Sequence, residues 1–485
     1  MKAQGGAHRL PLWALALALI SALPVLVARY PQMTDYPAHL ATWHVWIEAG
    51  RNAAIDRAYA IDWHWIPNLG SELMVRPLAA LFGLELAGRI IAALAPALCA
   101  LSFVATEWAL RRRIGVGSLL AMATVWSPAL LMGFLNFALG LALAFLLFGL
   151  WVRCEGKAWR HWLFLALAPL VWLCHLTGWG VLGVLVYGYE WQKRGLLRAI
   201  PATWPLWPPA LLTLLSGTGT KGASVYGDGV LIDKLSNWIM GLRDQSAMLD
   251  VATVALLIAL PLIAWGRGRV DGRIGRAALI FAALTFIMPR FLGGGDFADY
   301  RLVPVALACG LLAIDWQMPR NMARLWLALA ALPFLLRLGV TTMAWREDSQ
   351  ATAEMLEVLD HVPQGAVVAG AYGEAPFAWA QPSFGHVFAY ATIRRDALTN
   401  SDFAISGVHM LRHKDADPRF VDPSQRVLLL EDTAPDLSNF TPAAKADYLW
   451  YVGVAPLKGP PPGATELFRN RQTILLRLAN PQSSR

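Results

Sequence analysis

A polytopic helical membrane bundle carrying a soluble α/β tail is the fold class this sequence predicts, and three observations predict it. Of the 485 residues, 56% are hydrophobic and only 15% are charged, and the mean hydropathy is +0.45. No single water-soluble globule has that balance. The apolar residues fall in repeated runs long enough to cross roughly 30 Å of hydrocarbon. From Trp345 onward the runs stop, and short strand-like segments separated by turns take over.

Loop charge and hydropathy thread the first 345 residues as about eleven spans. They cover approximately 10–29, 86–110, 115–132, 134–152, 161–175, 177–190, 200–216, 249–266, 277–290, 300–317 and 323–344. The opening Met1-Lys2 to Arg9, followed by an apolar run, has the outline of a signal peptide. That run is longer than an ordinary signal core and more spans follow, so an uncleaved first helix is expected. The stretch 160–194 has basic flanks at both ends, Arg153, Lys157 and Arg160 before it and Lys193, Arg194 and Arg198 after it. One helix of that length would overshoot the bilayer and place a basic end outside, whereas two short spans turning at Cys174-His175-Leu176-Thr177-Gly178 keep both ends inside. Arg111-Arg112-Arg113, Arg267, Arg269, Arg273, Arg276, Arg320 and Arg324 then also fall inside. The N-terminus is expected in the cytoplasm and the C-terminus outside, with longer outer segments at 30–85, 217–248 and 290–300. Many of the 22 tryptophans sit at the ends of apolar runs, as an aromatic belt requires.

The net charge of +8 does not indicate nucleic acid, because Lys and Arg lie in short loops rather than on one patch. The four cysteines, Cys99, Cys154, Cys174 and Cys309, have neither CxxC nor Cys/His spacing and read as core residues. In the first outer segment, 38–50 and 71–82 have helix-compatible spacing and are expected to lie along the membrane interface. After Trp345, Glu347, Asp348 and Glu354 are expected to open a polar helix, followed by strands at 366–371, 426–430, 448–454, 466–469 and 473–478. The division that follows is a membrane domain, 1–345, with an outer loop 30–85, and a soluble domain, 346–485, of about 140 residues, large enough to fold alone.

Polar groups gather on three outer segments. Pro31-Gln32-Met33-Thr34-Asp35-Tyr36-Pro37-Ala38-His39 follows the first apolar run directly, and the same segment carries His44, His64 and Glu72. Ionisable side chains at the rim of a membrane are costly and point to function, although Asp35 also suits the N-cap of the next helix, with Pro37 in its first turn. The turn after Cys174 offers His175 and Thr177. The segment from Pro289 to Leu302 contains Arg290, Asp296, Asp299 and Arg301, with two guanidinium groups where no cytoplasmic charge rule asks for them. Guanidinium binds phosphate oxygens in a two-pronged geometry, and the competing reading is a salt bridge from Arg301 to Asp296 or Asp299, or snorkelling to headgroups. Asn136, at an outer turn, suits a hydrogen bond to a facing helix or to a ligand. Gly217-Thr218-Gly219-Thr220-Lys221-Gly222 lacks the spacing of a phosphate-binding Walker loop and reads as an ordinary loop, with Lys221 able to close over a substrate. No nucleophile elbow, zinc-protease motif or dinucleotide fingerprint occurs in a suitable context.

With these residues in place, the chain resembles the GT-C superfamily of integral-membrane glycosyltransferases, which pair a multi-span bundle with a C-terminal soluble domain. The resemblance rests on Asp35 in Thr34-Asp35-Tyr36-Pro37-Ala38-His39, the helices after it, and the α/β tail. Gly133-Phe134-Leu135-Asn136-Phe137 and Asp299-Tyr300-Arg301-Leu302 add to it. It implies a polyprenyl-phosphate-linked sugar as donor and a glycan, lipid or protein as acceptor. The reaction would take place at the outer face of a bacterial cytoplasmic membrane, with the tail outside. It implies Asp35 as the base for the acceptor hydroxyl and as the residue to touch any divalent ion. Tyr36 stands where many members have a second acid. Arg290 and Arg301 would neutralise the departing phosphate, and His39 would orient Asp35 or bind phosphate. His175, Asn136, Asp299 and Lys221 would complete a substrate-binding set. A transporter or flippase, or a non-catalytic assembly protein of the envelope, is the alternative. A flippase would be expected to show repeated halves or mid-bilayer charges, and neither stands out. An O-antigen ligase or polymerase would place its large charged loop between later spans.

Overall fold

The computed structural model describes residues 10–479 except 217–223, 228, 293–294, 318, 320, 375–377, 405–408, 415–416, 422–426, 430–433 and 454–456. Lys221 with its loop 217–222, Gly293, Gly294, Arg320, the strand ends Arg426, Leu430 and Val454, and the opening residues 1–9 therefore lie outside the described residues. The chain forms two compact units, each drawn from separate stretches. The first gathers Met1–Leu26, Trp65–Leu73 and Ile90–Met343; the second gathers Val27–His64, Met74–Arg89 and Ala344–Arg485.

The first unit is helical. Among the described residues, four helices are long and apolar enough to cross a membrane: Leu84–Arg111, Leu135–Arg153, Ala247–Gly266 and the run Ala323–His361. The apolar window of Leu135–Arg153 is 72% buried and that of Ala247–Gly266 only 28%, so the latter leaves a face that water would not tolerate. Arg160–Cys174 and Leu302–Ala313 are shorter apolar helices. Three expected spans are interrupted, the first of them 10–29, which folds as Leu12–Ile20 and Leu23–Val27. Residues 115–132 fold as Val116–Ala121, Met122–Thr124 and Pro128–Leu131, and residues 200–216 as Leu196–Ala202, Trp204–Leu206 and Pro208–Leu215. Pro128, Pro205 and Pro208 each remove a backbone donor at the new start.

The chain breaks at His175, between Arg160–Cys174 and Leu176–Arg194. There the two backbones pass close to a neighbouring helix: a Cβ on Gly178 would lie 2.8 Å from the carbonyl carbon of Gly140. Only glycine allows that approach. Two expectations need correction. The outer loop 217–248 contains a helix, Val230–Ile239, whose Val230, Leu231, Leu235 and Ile239 repeat at helical spacing. Glu347, Asp348 and Glu354 do not open a separate helix; they are the last turns of Ala323–Leu356, because no Gly or Pro after Gly339 stops it.

The second unit is built on a mixed sheet. Its strands are β1 Tyr59–Ile61, β2 Val367–Glu374, β3 Leu398–Thr399, β4 Leu411–His413, β5 Val427–Leu429, β6 Tyr448–Val452, β7 Thr465–Arg469 and β8 Thr473–Arg477. The six-stranded sheet runs β3-β2-β6-β8-β7, with β5 also paired to β2. β2 is parallel to β3, β5 and β6, while β6–β8–β7 is antiparallel. Its core packs Ala369, Leu449, Tyr451, Ile474 and Leu476 with Phe420 and Leu437. β1, from the first outer segment, pairs antiparallel with β4, and Val45, Ile55, Tyr59 and Leu411 close a small apolar cluster beside them. The helix Tyr36–Glu48 packs on the helix Ala389–Arg395.

Candidate functional site

The polar residues singled out above divide between the two units. Asp35 and His39 belong to the second; Asn136, His175, Arg290, Asp299 and Arg301 belong to the first.

Asp35 occupies the N-cap position of Tyr36–Glu48, yet its side chain makes no capping hydrogen bond. Pro37 sits at the second helical position and has no N–H to offer a capping carboxylate. The carboxylate meets an imidazole from the tail instead: Asp35 Oδ1 lies 3.6 Å from His386 Nε2. His386 is itself fixed, with Nδ1 2.6 Å from the Ser401 carbonyl oxygen and its ring edge-on to Phe403. Phe403 also takes an edge contact from His39 and stacks on His409 at 4.9 Å between centroids. His39 further stacks on Trp43. Desolvation, with the charge of His39 adding to it, pushes His409 down to about 3, so that ring stays neutral. The Thr34 hydroxyl donates to the Pro382 carbonyl, tying the residue before Asp35 to the tail.

In the first unit, Arg301 and His175 are brought together. The Arg301 guanidinium lies over Phe134, 3.9 Å from its centroid, and near Phe137. Its Nη2 donates to the Asp296 carbonyl, and its Nη1 lies 3.3 Å from His175 Nε2. His175 Nδ1 accepts the Thr177 backbone N–H at 3.1 Å, capping the helix Leu176–Arg194. The neutral ring therefore carries its proton on Nε2, and the two groups face one another donor to donor. An anionic oxygen placed beside both would accept from each.

The other sequence candidates are engaged internally. Arg290 is paired with Asp296 through two hydrogen bonds, 3.0 and 3.2 Å long. This is a bridge the sequence offered to Arg301 and the fold gives to Arg290. Asp299 forms a buried ion pair with Lys234 and accepts from Asn237. Asn136 is a junction: its Oδ1 accepts the Ser71 N–H at 2.6 Å, and its Nδ2 donates to the Asn68 carbonyl and to Glu72 Oε2, each at 2.9 Å. That is the helix-joining role of a polar amide. Among the described residues, no group of three or more His, Cys, Asp or Glu side chains could hold a metal ion.

No family model matches the chain, and no curated protein matches it. Among solved structures, the chain is similar to the crystal structure of ArnT from Cupriavidus metallidurans bound to undecaprenyl phosphate, with 14% identity and a TM-score of 0.47, covering 96% of this chain and 97% of that one.

Sequence reasoning missed His386 and Lys234. His386 stands far along the chain from Asp35 in a segment with no motif, so no local signal marks it. Lys234 carried one: a single cation within the apolar repeat of 230–239 is the mark of a helix that must find an acid.

Proposed function

We propose that this protein is a membrane glycosyltransferase of the GT-C kind, moving a sugar from a polyprenyl-phosphate donor to a hydroxyl-bearing acceptor at the outer face of a bacterial cytoplasmic membrane. The observation that carries the reading is the donor-to-donor pair of Arg301 Nη1 and His175 Nε2–H, with the Arg301 guanidinium over the Phe134 ring. Such a pair is suited to a phosphate oxygen, and a lipid-linked phosphate brings one to an apolar helical unit. Asp35 supports it by residue type and setting, a carboxylate of the outer segment 3.6 Å from the His386 imidazole.

The roles follow from charge. Asp35 takes the proton of the acceptor hydroxyl as its oxygen attacks the anomeric carbon. The sugar–phosphate bond breaks, the electron pair leaves with the lipid phosphate, and Arg301 stabilises the charge that develops there. Asn136 and Asp299 act in this scheme as supports, through Glu72 and Lys234 respectively.

The test is binding and turnover of a panel of radiolabelled polyprenyl-phosphate sugars by the full chain in nanodiscs. Wild type is compared with Asp35→Asn and Arg301→Ala. Asp35→Asn is expected to retain donor binding and lose transfer by about 10²- to 10⁴-fold, the range for a positioned base, while Arg301→Ala weakens donor binding. Undiminished transfer by a well-folded Asp35→Asn, or a wild type that binds no lipid-linked sugar, would overturn the reading.

A further inference from the structure

The first unit carries a basic and aromatic patch that the scheme above does not use. It is built where the helix Arg160–Cys174 begins and the helix Leu176–Arg194 ends. Each of those ends is at least about 20 Å along its helix from His175, at 1.5 Å of rise per residue. Residues 153–161 and 190–198 hold six cations, Arg153, Lys157, Arg160, Lys193, Arg194 and Arg198, against two carboxylates, Glu155 and Glu190.

Both carboxylates are already engaged. Glu190 accepts from Trp151 Nε1 at 2.9 Å, from Arg160 Nη2 at 3.3 Å and from Arg194 Nε at 2.6 Å. Glu155 pairs with Lys193 and accepts the Tyr189 hydroxyl at 2.7 Å. Lys157 and Arg198 are exposed, and among the described residues neither forms an ion pair. Arg160 lies over Trp151, 4.0 Å from the ring centroid, and among the described residues its buried Nη1 has no hydrogen-bond partner. By contrast, Arg111 pairs with Glu107, Arg113 with Asp315 and Arg273 with Asp271.

Beside these charges the surface is apolar. Trp162 is 68% exposed and Leu197 75%, and Ile200 and Trp204 are exposed as well. The Trp204 ring stacks on His161 and meets Trp162 edge-on, each at 6.1 Å between centroids, so this shelf is continuous with the head of Arg160–Cys174. A soluble polyanion would match the charges and leave the shelf in water. An uncharged lipid would cover the shelf and leave the charges unmatched. An amphiphile with an anionic headgroup satisfies both.

We propose that this patch binds an anionic glycerophospholipid of the leaflet it faces, with its phosphate held by Lys157 and Arg198 and its acyl chains lying along Trp162, Trp204 and Leu197. Charge-assisted bonds to phosphate oxygens supply the headgroup contact, and the exposed indoles suit the boundary between headgroup and chain. A headgroup oxygen is also the kind of acceptor that Arg160 Nη1 lacks. The site does not depend on sugar transfer and can fail or hold without it.

Native mass spectrometry tests this on the full chain in detergent, offered phosphatidylglycerol and phosphatidylcholine of identical acyl chains in equal amounts. Wild type is expected to retain phosphatidylglycerol in preference. The double variant Lys157→Gln/Arg198→Gln is expected to lower that preference by about fivefold for each charge removed, the worth of a basic side chain at an anionic lipid surface. Lys157→Arg/Arg198→Lys keeps the charge and is expected to keep the preference. Arg267→Gln removes an exposed cation after the helix Ala247–Gly266 and is expected to leave it unchanged. All these positions are exposed, and a melting curve for each variant confirms that it is folded. A wild type without preference, an unmoved preference in Lys157→Gln/Arg198→Gln, or an equal fall in Arg267→Gln overturns the site. Displacement of the bound lipid by millimolar inorganic phosphate would mark a free-anion site and overturns it too.

Discussion

Asp35 and His175 each stand at the start of a helix and use that position differently. His175 gives its Nδ1 lone pair to the Thr177 N–H and so turns its Nε2–H outward to Arg301. Asp35 makes no capping bond, Pro37 removes one of the N–H donors a cap uses, and its carboxylate lies beside His386. In both, the backbone decides which atoms are left for chemistry. Asn136 shows the structural counterpart. Asn136→Ala would leave the buried Ser71 N–H and the Glu72 carboxylate each short of a partner. A loss of about 1–3 kcal/mol in stability is expected, read as a lower melting temperature in detergent with donor binding retained. His409 gives a pH prediction. Its folded-state value of about 3 lies below the usual 6.5, so between those values the unfolded chain binds the extra proton. Stability therefore falls as pH drops from about 6.5 toward 3 and is unaffected by this group above that window. Melting curves over that range should show a shallower pH slope in His409→Phe than in wild type.

At the scale of elements, the break at His175 and the glycine contact beneath it act together. The turn allows Arg160–Cys174 and Leu176–Arg194 to be short, and Gly178 on Gly140 brings the second of them against Leu135–Arg153. A Cβ at Gly178 meets backbone, which has nowhere to rotate, so the helices must separate. Gly178→Ala is expected to cost about 1–3 kcal/mol, the range for overpacking. Gly180→Ala, where a Cβ meets nothing within 4 Å, serves as the control in the same thermal assay. The basic flanks made this break legible in the sequence, because charge asymmetry is a local property. The helix Val230–Ile239 was legible too, in its apolar repeat. Its anchor, Lys234 on Asp299, was not legible, since it joins side chains from separate segments.

For the whole molecule, the consequential feature is that the second unit is discontinuous. The tail supplies β2 through β8, but the outer segment supplies β1, the helix Tyr36–Glu48 and three of the four residues of the Val45–Ile55–Tyr59–Leu411 cluster. Tyr59 also donates to the Asp402 carboxylate. The stretch 346–485 by itself lacks these pieces of its unit. That fragment is predicted to show weak amide protection at β4 and a broad thermal transition, both restored in the full chain, as hydrogen exchange and circular dichroism would report. The sequence by itself determined the apolar helical character, the strand-rich tail, the turn at His175 and the residue types of the candidate site. Hydropathy, charge and turn chemistry are local and survive in a string of letters. Only the tertiary structure decided that His386 faces Asp35, that Arg301 rather than Arg290 stands beside His175, and that Asp299 is engaged by Lys234. Those choices depend on which distant segments pack together, and packing is set by the shape and satisfaction of the whole chain.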